Sequence, residues 1–248
     1  MNKDLTIIVP CYNEQHIIEQ SFFEIENFLV HHPTFLVVFT DDKSTDSTLK
    51  TLQHLWKQSQ LKTRIKIIEN KKNLGKGGAI KAGFALVKTE LVCFTDADLA
   101  YHLNNILLFA ENSTPGRLVI ANRLHPKSCC HISPSFFSYI FFRHLLSRAF
   151  NRLVRYTLLP DAVDVQAGLK MGYKNDFVKI LPKTRSNGFS FDLELLLNFH
   201  YQKIEIINLP VTYRYLTDKS SINVLRDGST MLCKFLQFLL RKIKGDFR

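Results

Sequence analysis

Cysteine is sparse in this chain and wrongly spaced for cross-linking. The five cysteines, Cys11, Cys93, Cys129, Cys130 and Cys233, are odd in number and form no CxxC pair. That pattern argues against a disulfide framework or a cysteine-bound zinc and points to reduced thiols in a cytosolic setting. Long apolar runs are missing too. FFSYIFF, at Phe136–Phe142, falls far short of the roughly 20 residues that span a bilayer, so a surface-bound protein is compatible with the sequence and a membrane-crossing one is not. The chain passes from Met1–Asp4 straight into a short strand-like run, so no signal peptide is expected. Internal repeats and low-complexity segments are also absent.

Acid is missing from one long stretch. Between Arg117 and Pro160 there is no Asp or Glu, whereas Arg117, Arg123, Lys127, Arg143, Arg148, Arg152 and Arg155 all fall there. Arg148, Arg152 and Arg155 share a helical face, with Phe142, Leu146, Ala149, Phe150 and Leu153 as an apolar stripe beside it. Most such helices pack on a core and leave a solvated basic face. Here the missing acids and the preceding aromatics favour an anionic membrane surface. MLCKFLQFLLRKIK, at Met231–Lys244, repeats the theme more weakly.

What is present describes a folded protein. The chain has 248 residues, 46% apolar and 22% charged, enough for one domain or a domain with an appendage. A formal charge of +11 favours anionic partners: nucleic acid, acidic lipid or phosphorylated metabolites.

The first half alternates apolar runs, LTIIV, FLVVFT, RIKIIE, LVCFT and RLVIA, with helical patterns over Glu14–Val30, Ser47–Gln58, Gly78–Val87 and Asn104–Glu111. This predicts an α/β fold whose mostly parallel, Rossmann-like sheet carries helices on both faces. Ligands of such sheets collect beyond the carboxyl ends of the strands. The five runs are followed in turn by PCYNE, DDKSTD, NKKNLGKGGA, DAD and NR, so one edge carries acids, a glycine loop with a lysine, and an arginine. A phosphate-bearing ligand with a metal ion fits that edge. Beyond Ala121 the alternation breaks down into a helical stretch over 133–159, a mixed segment, and a final helix near 222–244.

Asp96 and Asp98 are the central pair. Two apart in extended backbone, they share a face and repel unless a cation lies between them. Hard ions such as Mg²⁺ or Mn²⁺ take such carboxylates together with substrate phosphates. Capping or pairing with lysines is the ordinary explanation for an isolated DxD, but the other strand-end acids reverse that preference. The NLGKGGA loop lacks both P-loop and dinucleotide-loop spacing, and alone is as consistent with a turn as with phosphate binding by Lys76. Asn13 and Asp46 can be simple helix caps. Tyr12 can stack on a base and Asp42 can accept hydrogen bonds from one, though spacing alone does not show it.

Taken in order, IVPCYNE, DDKSTD, NLGKGGA, FTDADL, ANR, DVQAGLK and GFSFDLELL resemble glycosyltransferase family 2, and within it the dolichyl- and polyprenyl-phosphate sugar synthases. The resemblance implies a GT-A fold over 1–221, with 222–248 as a basic amphipathic helix. It implies a nucleotide-sugar donor, a polyprenyl-phosphate acceptor, Mg²⁺ or Mn²⁺ as cofactor, and inversion at the anomeric carbon. Pro10, Tyr12, Glu14, Asp42, Lys76, Ala97 and Arg123 would hold the nucleotide-sugar, and Asp96 and Asp98 the metal and diphosphate. Asp164, Gln166 and Lys170 would line the acceptor side, with Asp192 and Glu194 nearby and Arg148 and Arg152 toward the lipid. Asp164 and Asp192 are the catalytic bases should the acceptor be a hydroxyl. Lys43 and Lys219 stand where the family usually has glycine, Ala100 lacks a polar side chain that some relatives place there, and the N-terminal anchor of eukaryotic relatives is not seen. The expectation is an inverting transferase bound peripherally at the cytoplasmic face of a membrane, with a UDP-sugar as donor. The alternatives are a family 2 enzyme acting on a sugar or lipid hydroxyl, a nucleotidyltransferase, or a basic nucleic-acid- or lipid-binding module. Clustered strand-end acids would repel nucleic acid, so no nucleic-acid partner is expected.

Overall fold

In the computed structural model, residues 3–131, 137–188, 190–214 and 224–247 are described, with backbone alone over 137–146 and 224–231. Strands β1 (Leu5–Cys11), β2 (Phe35–Asp41), β3 (Ile65–Glu69) and β4 (Leu91–Phe94) alternate with helices α1 (Ile18–His31), α2 (Thr48–Gln58) and α3 (Lys76–Phe84). Then come α4 (Asn105–Asn112), β5 (Arg117–Ala121), β6 (Cys129–His131), α5 (Phe137–Thr157) and β7 (Lys170–Tyr173). The chain ends with α6 (Lys174–Ile180), a 3₁₀ turn at Leu181–Lys183, α7 (Phe191–Tyr201), β8 (Glu205–Leu209), β9 (Thr212–Arg214) and α8 (Val224–Lys244).

The main sheet runs β3-β2-β1-β4-β7-β5-β8, and β6 pairs with β9 in a small second sheet. The strands of the first half are parallel, as their apolar character predicts. Both faces are covered. Leu5, Ile7 and Val9 point into one core with Phe22, Leu52 and Phe109, whereas Ile8, Val92 and Phe94 point into the other with Ile80, Phe177 and Phe191. Alternate residues of one strand therefore enter different cores, and the few polar side chains on these strands, such as Thr6 and Thr40, are buried with them.

β7 was not legible as a strand. It lies antiparallel between β4 and β5, with Phe94 opposite Lys170 and Ile120 also opposite Lys170. This reversal positions the site. A strand running backwards brings its leading loop, residues 161–169, to the edge where its neighbours present their trailing loops.

Candidate active site

The first two strand-end loops brace each other. The Asn13 amide donates to Ser44 Oγ at 3.0 Å, and Asn13 Oδ1 accepts from the Thr45 amide at 2.8 Å. The Glu14 amide donates to Thr48 Oγ1, and Asp46 accepts from the Gln15 and Thr48 amides. The residues at the N-cap positions, Ile17 and Ser47, make no side-chain cap; Asn13 links the two loops, and Asp46 both links them and accepts from the first amide of α2. Lys43 explains why glycine is usual at its place in the family: its φ is +63°, a left-handed conformation costing a side-chain-bearing residue about 1–2 kcal/mol. Its ammonium meets Glu69 at 2.6 Å.

Asp42 is buried and organises the glycine loop. Its carboxylate accepts from Asn70 Nδ2 at 2.7 Å, the Leu74 amide at 2.9 Å and the Gly75 amide at 2.6 Å. Gly75, at φ +78°, then turns the chain into α3, whose first residue is Lys76. A side chain at Gly77 would collide with the Phe191 ring, and the Gly77 amide donates to Asn187 O at 2.6 Å. The loop is thereby joined to the start of α7.

Asp96 and Asp98 sit on a tight turn after β4. The Leu99 amide donates to Asp96 O, the Ala100 amide donates to Asp98 Oδ1 at 3.0 Å, and Leu99 is held at φ +46°. Ala97 between them is buried, with its carbonyl accepting from Ser21 Oγ. Glu14 converges on the same corner. Burial, and then the charges of Asp98, Asp96 and Asp46, push its carboxyl up to about 7. Negative charge is therefore under-compensated here, and the donors are all carboxylate oxygens, which suits a hard divalent ion. Among the described residues no group of three acids, histidines or cysteines forms a ready metal cage, so Asp96 and Asp98 would hold such an ion jointly with ligand oxygens.

A row of alternating charges crosses the site. Lys76 Nζ lies 2.7 Å from Asp96 Oδ1 and 3.4 Å from Asp192 Oδ2, and Lys170 Nζ lies 2.5 Å from Asp192 Oδ1. Burial works against the Lys76 charge, but Asp192 and Asp96 outweigh it and hold the ammonium protonated well above the usual lysine range. Burial likewise opposes ionisation of Asp192, yet Lys170 and Lys76 keep its carboxyl below the ordinary range. Gly168 permits the arrangement, since a Cβ there would lie 1.8 Å from Asp96 Oδ2. Its amide donates to the buried Tyr101 hydroxyl.

Several sequence expectations change at this point. Lys170, expected beside the acceptor, is 0% exposed, donates to Ala167 O and Asp192, and lies under the Phe94 ring. It reaches a ligand only through Asp192. Asp164 is buried in a two-pronged pair with Arg123, at 2.7 and 2.8 Å; the guanidinium outweighs burial and keeps the carboxyl below its ordinary range. Arg123 is thus engaged by Asp164, whatever else it contacts. Glu194, expected near the site, is fully buried and pairs with Arg241, which pins α8 to α7. Gln166 accepts from Ser147 Oγ of α5 at 3.2 Å. Arg148 and Arg152 are exposed on α5, and Tyr12 is exposed beside Glu14. Phe142, Arg143, Leu146 and Lys219 lie outside the described side chains.

The open α/β sheet, with acids, a glycine loop and basic residues at one edge, defines a sugar-nucleotide-transferase fold of the GT-A class. The match with the model for "Glycosyl transferase family 2" spans residues 6–174. The chain belongs to that family, and it is a glycosyltransferase. It is 25% identical to a dolichyl-phosphate beta-glucosyltransferase of Saccharomyces cerevisiae over 98% of this chain and 76% of that protein. The human protein of the same name is 26% identical over 85% of this chain and 67% of its own length. Glucosyl-3-phosphoglycerate synthase from Mycobacterium tuberculosis, solved with Mn²⁺, UDP and phosphoglyceric acid, superposes with a TM-score of 0.62 over 96% of this chain and 78% of that one, at 16% identity.

Proposed function

We propose that the protein transfers a sugar, glucose by analogy with the named relatives, from a UDP-sugar to a polyprenyl or dolichyl phosphate. The reaction inverts the anomeric carbon, uses Mg²⁺ or Mn²⁺, and takes place at the cytoplasmic face of a membrane. The observation that carries this reading is the state of the two candidate bases. Asp164 is clamped by Arg123, and Asp192 is held between Lys76 and Lys170, so both are poor proton acceptors. A hydroxyl acceptor needs a base. A phosphate monoester, with its second pKa near about 6, is already ionised at neutral pH and needs none.

The chain's task is then to align that phosphate with the anomeric carbon and to favour departure of the diphosphate through an oxocarbenium-like transition state. Asp96 and Asp98 would hold the metal, which would supply Lewis-acid stabilisation of the leaving group. Glu14, Tyr12 and the braced loops at β1 and β2 would hold the nucleotide, and the 161–169 loop would face the acceptor.

The surface supports a lipid-borne acceptor. No helix of the described residues is long and apolar enough to cross a membrane. Yet Leu232, Leu236, Leu240 and Ile243 stand exposed in one row on α8, at 52%, 50%, 58% and 73%. The sequence places this helix second to α5 as a docking surface; among the described side chains, it carries a four-residue exposed apolar row. Lys242 donates to Thr157 O and Phe150 meets the Phe235 ring, so α5 lies alongside with Leu153, Tyr156, Arg148, Arg152 and Arg155 exposed. An apolar row flanked by Arg152, Arg155, Lys242 and Lys244 matches an acidic bilayer.

The test is transfer itself: a panel of sugar nucleotides with Mn²⁺ or Mg²⁺ and a short-chain polyprenyl phosphate. Nucleoside diphosphate and a lipid-linked sugar of inverted configuration are expected. Equal transfer to a polyprenyl alcohol, or pyrophosphate release from a nucleoside triphosphate without a lipid product, would sink the proposal.

A further inference from the structure

The four-charge row contains one member that is held and one that is not. Lys170 is fully buried, donates to Ala167 O and Asp192, and has no room to leave. Lys76 has the same chemistry but sits on the first turn of α3 with its side chain 24% exposed, bridging Asp96 and Asp192 across the mouth of the site. Its ammonium meets Asp96 Oδ1, and Asp96 Oδ2 lies against the Gly168 backbone, so the lysine holds the carboxylate oxygen turned away from that backbone. A divalent ion and Lys76 therefore compete for the same oxygen.

Resting on the metal- and nucleotide-sugar-dependent reading above, we propose that Lys76 is a displaceable counter-ion that makes metal binding at Asp96 conditional on the donor. Without a diphosphate, the ammonium neutralises Asp96 and a bare ion meets a lysine in its place. When a diphosphate arrives, its oxygens offer the ammonium a stronger partner within reach of a flexible four-carbon stem, and Asp96 is released. Asp192 keeps the lysine near the site throughout, because Lys170 fixes that carboxylate in place. By linkage, the nucleotide tightens metal binding by the same factor by which the metal tightens nucleotide binding. Lys76 is a positioning residue in this account, and its effect is visible without turnover.

The experiment is Mn²⁺ titration of the full chain, read by loss of the free-ion electron paramagnetic resonance signal, with and without UDP or GDP. In the wild type, Mn²⁺ alone binds weakly and a nucleoside diphosphate tightens it by a factor in the range typical of coupled sites, roughly 5- to 150-fold. Lys76→Met is expected to bind Mn²⁺ alone more tightly than the wild type, by about fivefold or more, with a correspondingly smaller enhancement by nucleotide. A Lys76→Met protein that melts cooperatively yet binds Mn²⁺ alone no more tightly than the wild type overturns the counter-ion. Lys76→Gln carries the same criterion if the methionine variant does not fold. Wild-type protein that binds no Mn²⁺ even with UDP or GDP overturns the underlying metal reading, and the counter-ion with it.

Discussion

Replacing Lys170 with methionine tests whether the buried end of the charge row is ionic. At 2.5 Å and an effective dielectric of about 20, the Lys170–Asp192 attraction is roughly 7 kcal/mol before desolvation. Much of that offsets the cost of burying two charges, so the informative quantity is the loss on removing one partner, about 3–5 kcal/mol for buried pairs. The lower end applies, because Lys76 at 3.4 Å still partners Asp192. Lys170→Met should therefore cost about 3 kcal/mol in urea denaturation with an unchanged m-value, or roughly 6–12 °C in Tm. Adding Asp192→Leu should restore much of that stability, since an apolar pair of similar size no longer strands a charge. The double variant should be inactive, because Lys76 would lose Asp192, one of the two carboxylates that hold it at the site. A single variant losing less than about 1 kcal/mol, or a double variant less stable than the single, would refute an ion pair at this position.

Three further outcomes follow from the same geometry. Gly168→Ala should leave Tm nearly unchanged, because the colliding Asp96 side chain is partly exposed and can yield, but transfer should fall by about 100-fold as that carboxylate is displaced. Arg123→Gln should cost about 3–5 kcal/mol at pH 7 by stranding Asp164. In the wild type the lowered Asp164 pKa adds stability that is present above about pH 4 and lost as pH falls through the lower folded value. The variant lacks that contribution, so the difference between the two proteins should shrink in urea melts at acid pH, and a pH-independent difference would contradict the pairing. Flotation with acidic liposomes should weaken with salt, and Leu236→Glu with Leu240→Glu should abolish it without lowering Tm, since both side chains are exposed. Two buried leucines contribute about 3–6 kcal/mol to partitioning, so retained flotation would remove α8 as the docking face.

The parallel half of the fold was readable because strands buried on both faces must be apolar throughout, and the residues after each run therefore stand out as an edge. The lone antiparallel strand was not readable. KMGY is four residues long, and its lysine, which looks solvent-seeking, is buried because Asp192 supplies a countercharge 22 positions later in the chain. α7 was seen only as a motif: FDLELLLNF is buried all round, so it has no polar face to betray a helical period. The pairings of the candidate site residues were not legible, since Lys76 meets Asp96 and Asp192 from separate loops and no spacing rule connects those positions. Lys43 was the reverse case. The departure from glycine was visible in sequence, and the positive φ gives its reason.

The reversed strand also divides the site by chain segment. On the proposed reading the nucleotide side is built from strand-end loops, of which those trailing β1, β2 and β3 brace one another through Asn13, Asp46 and Asp42. The opposite side is built from the loop that leads into β7, and that loop is fixed by different partners: Asp164 by Arg123, Val165 by Asn151 and Gln166 by Ser147. Asn151 and Ser147 both belong to α5, the helix whose neighbouring turns expose Arg148 and Arg152. On the proposed reading, the acceptor loop is therefore tied mechanically to the surface that meets the lipid, whereas the donor loops are braced by one another and by the start of α7. Changes along α5 should then alter acceptor use before donor affinity.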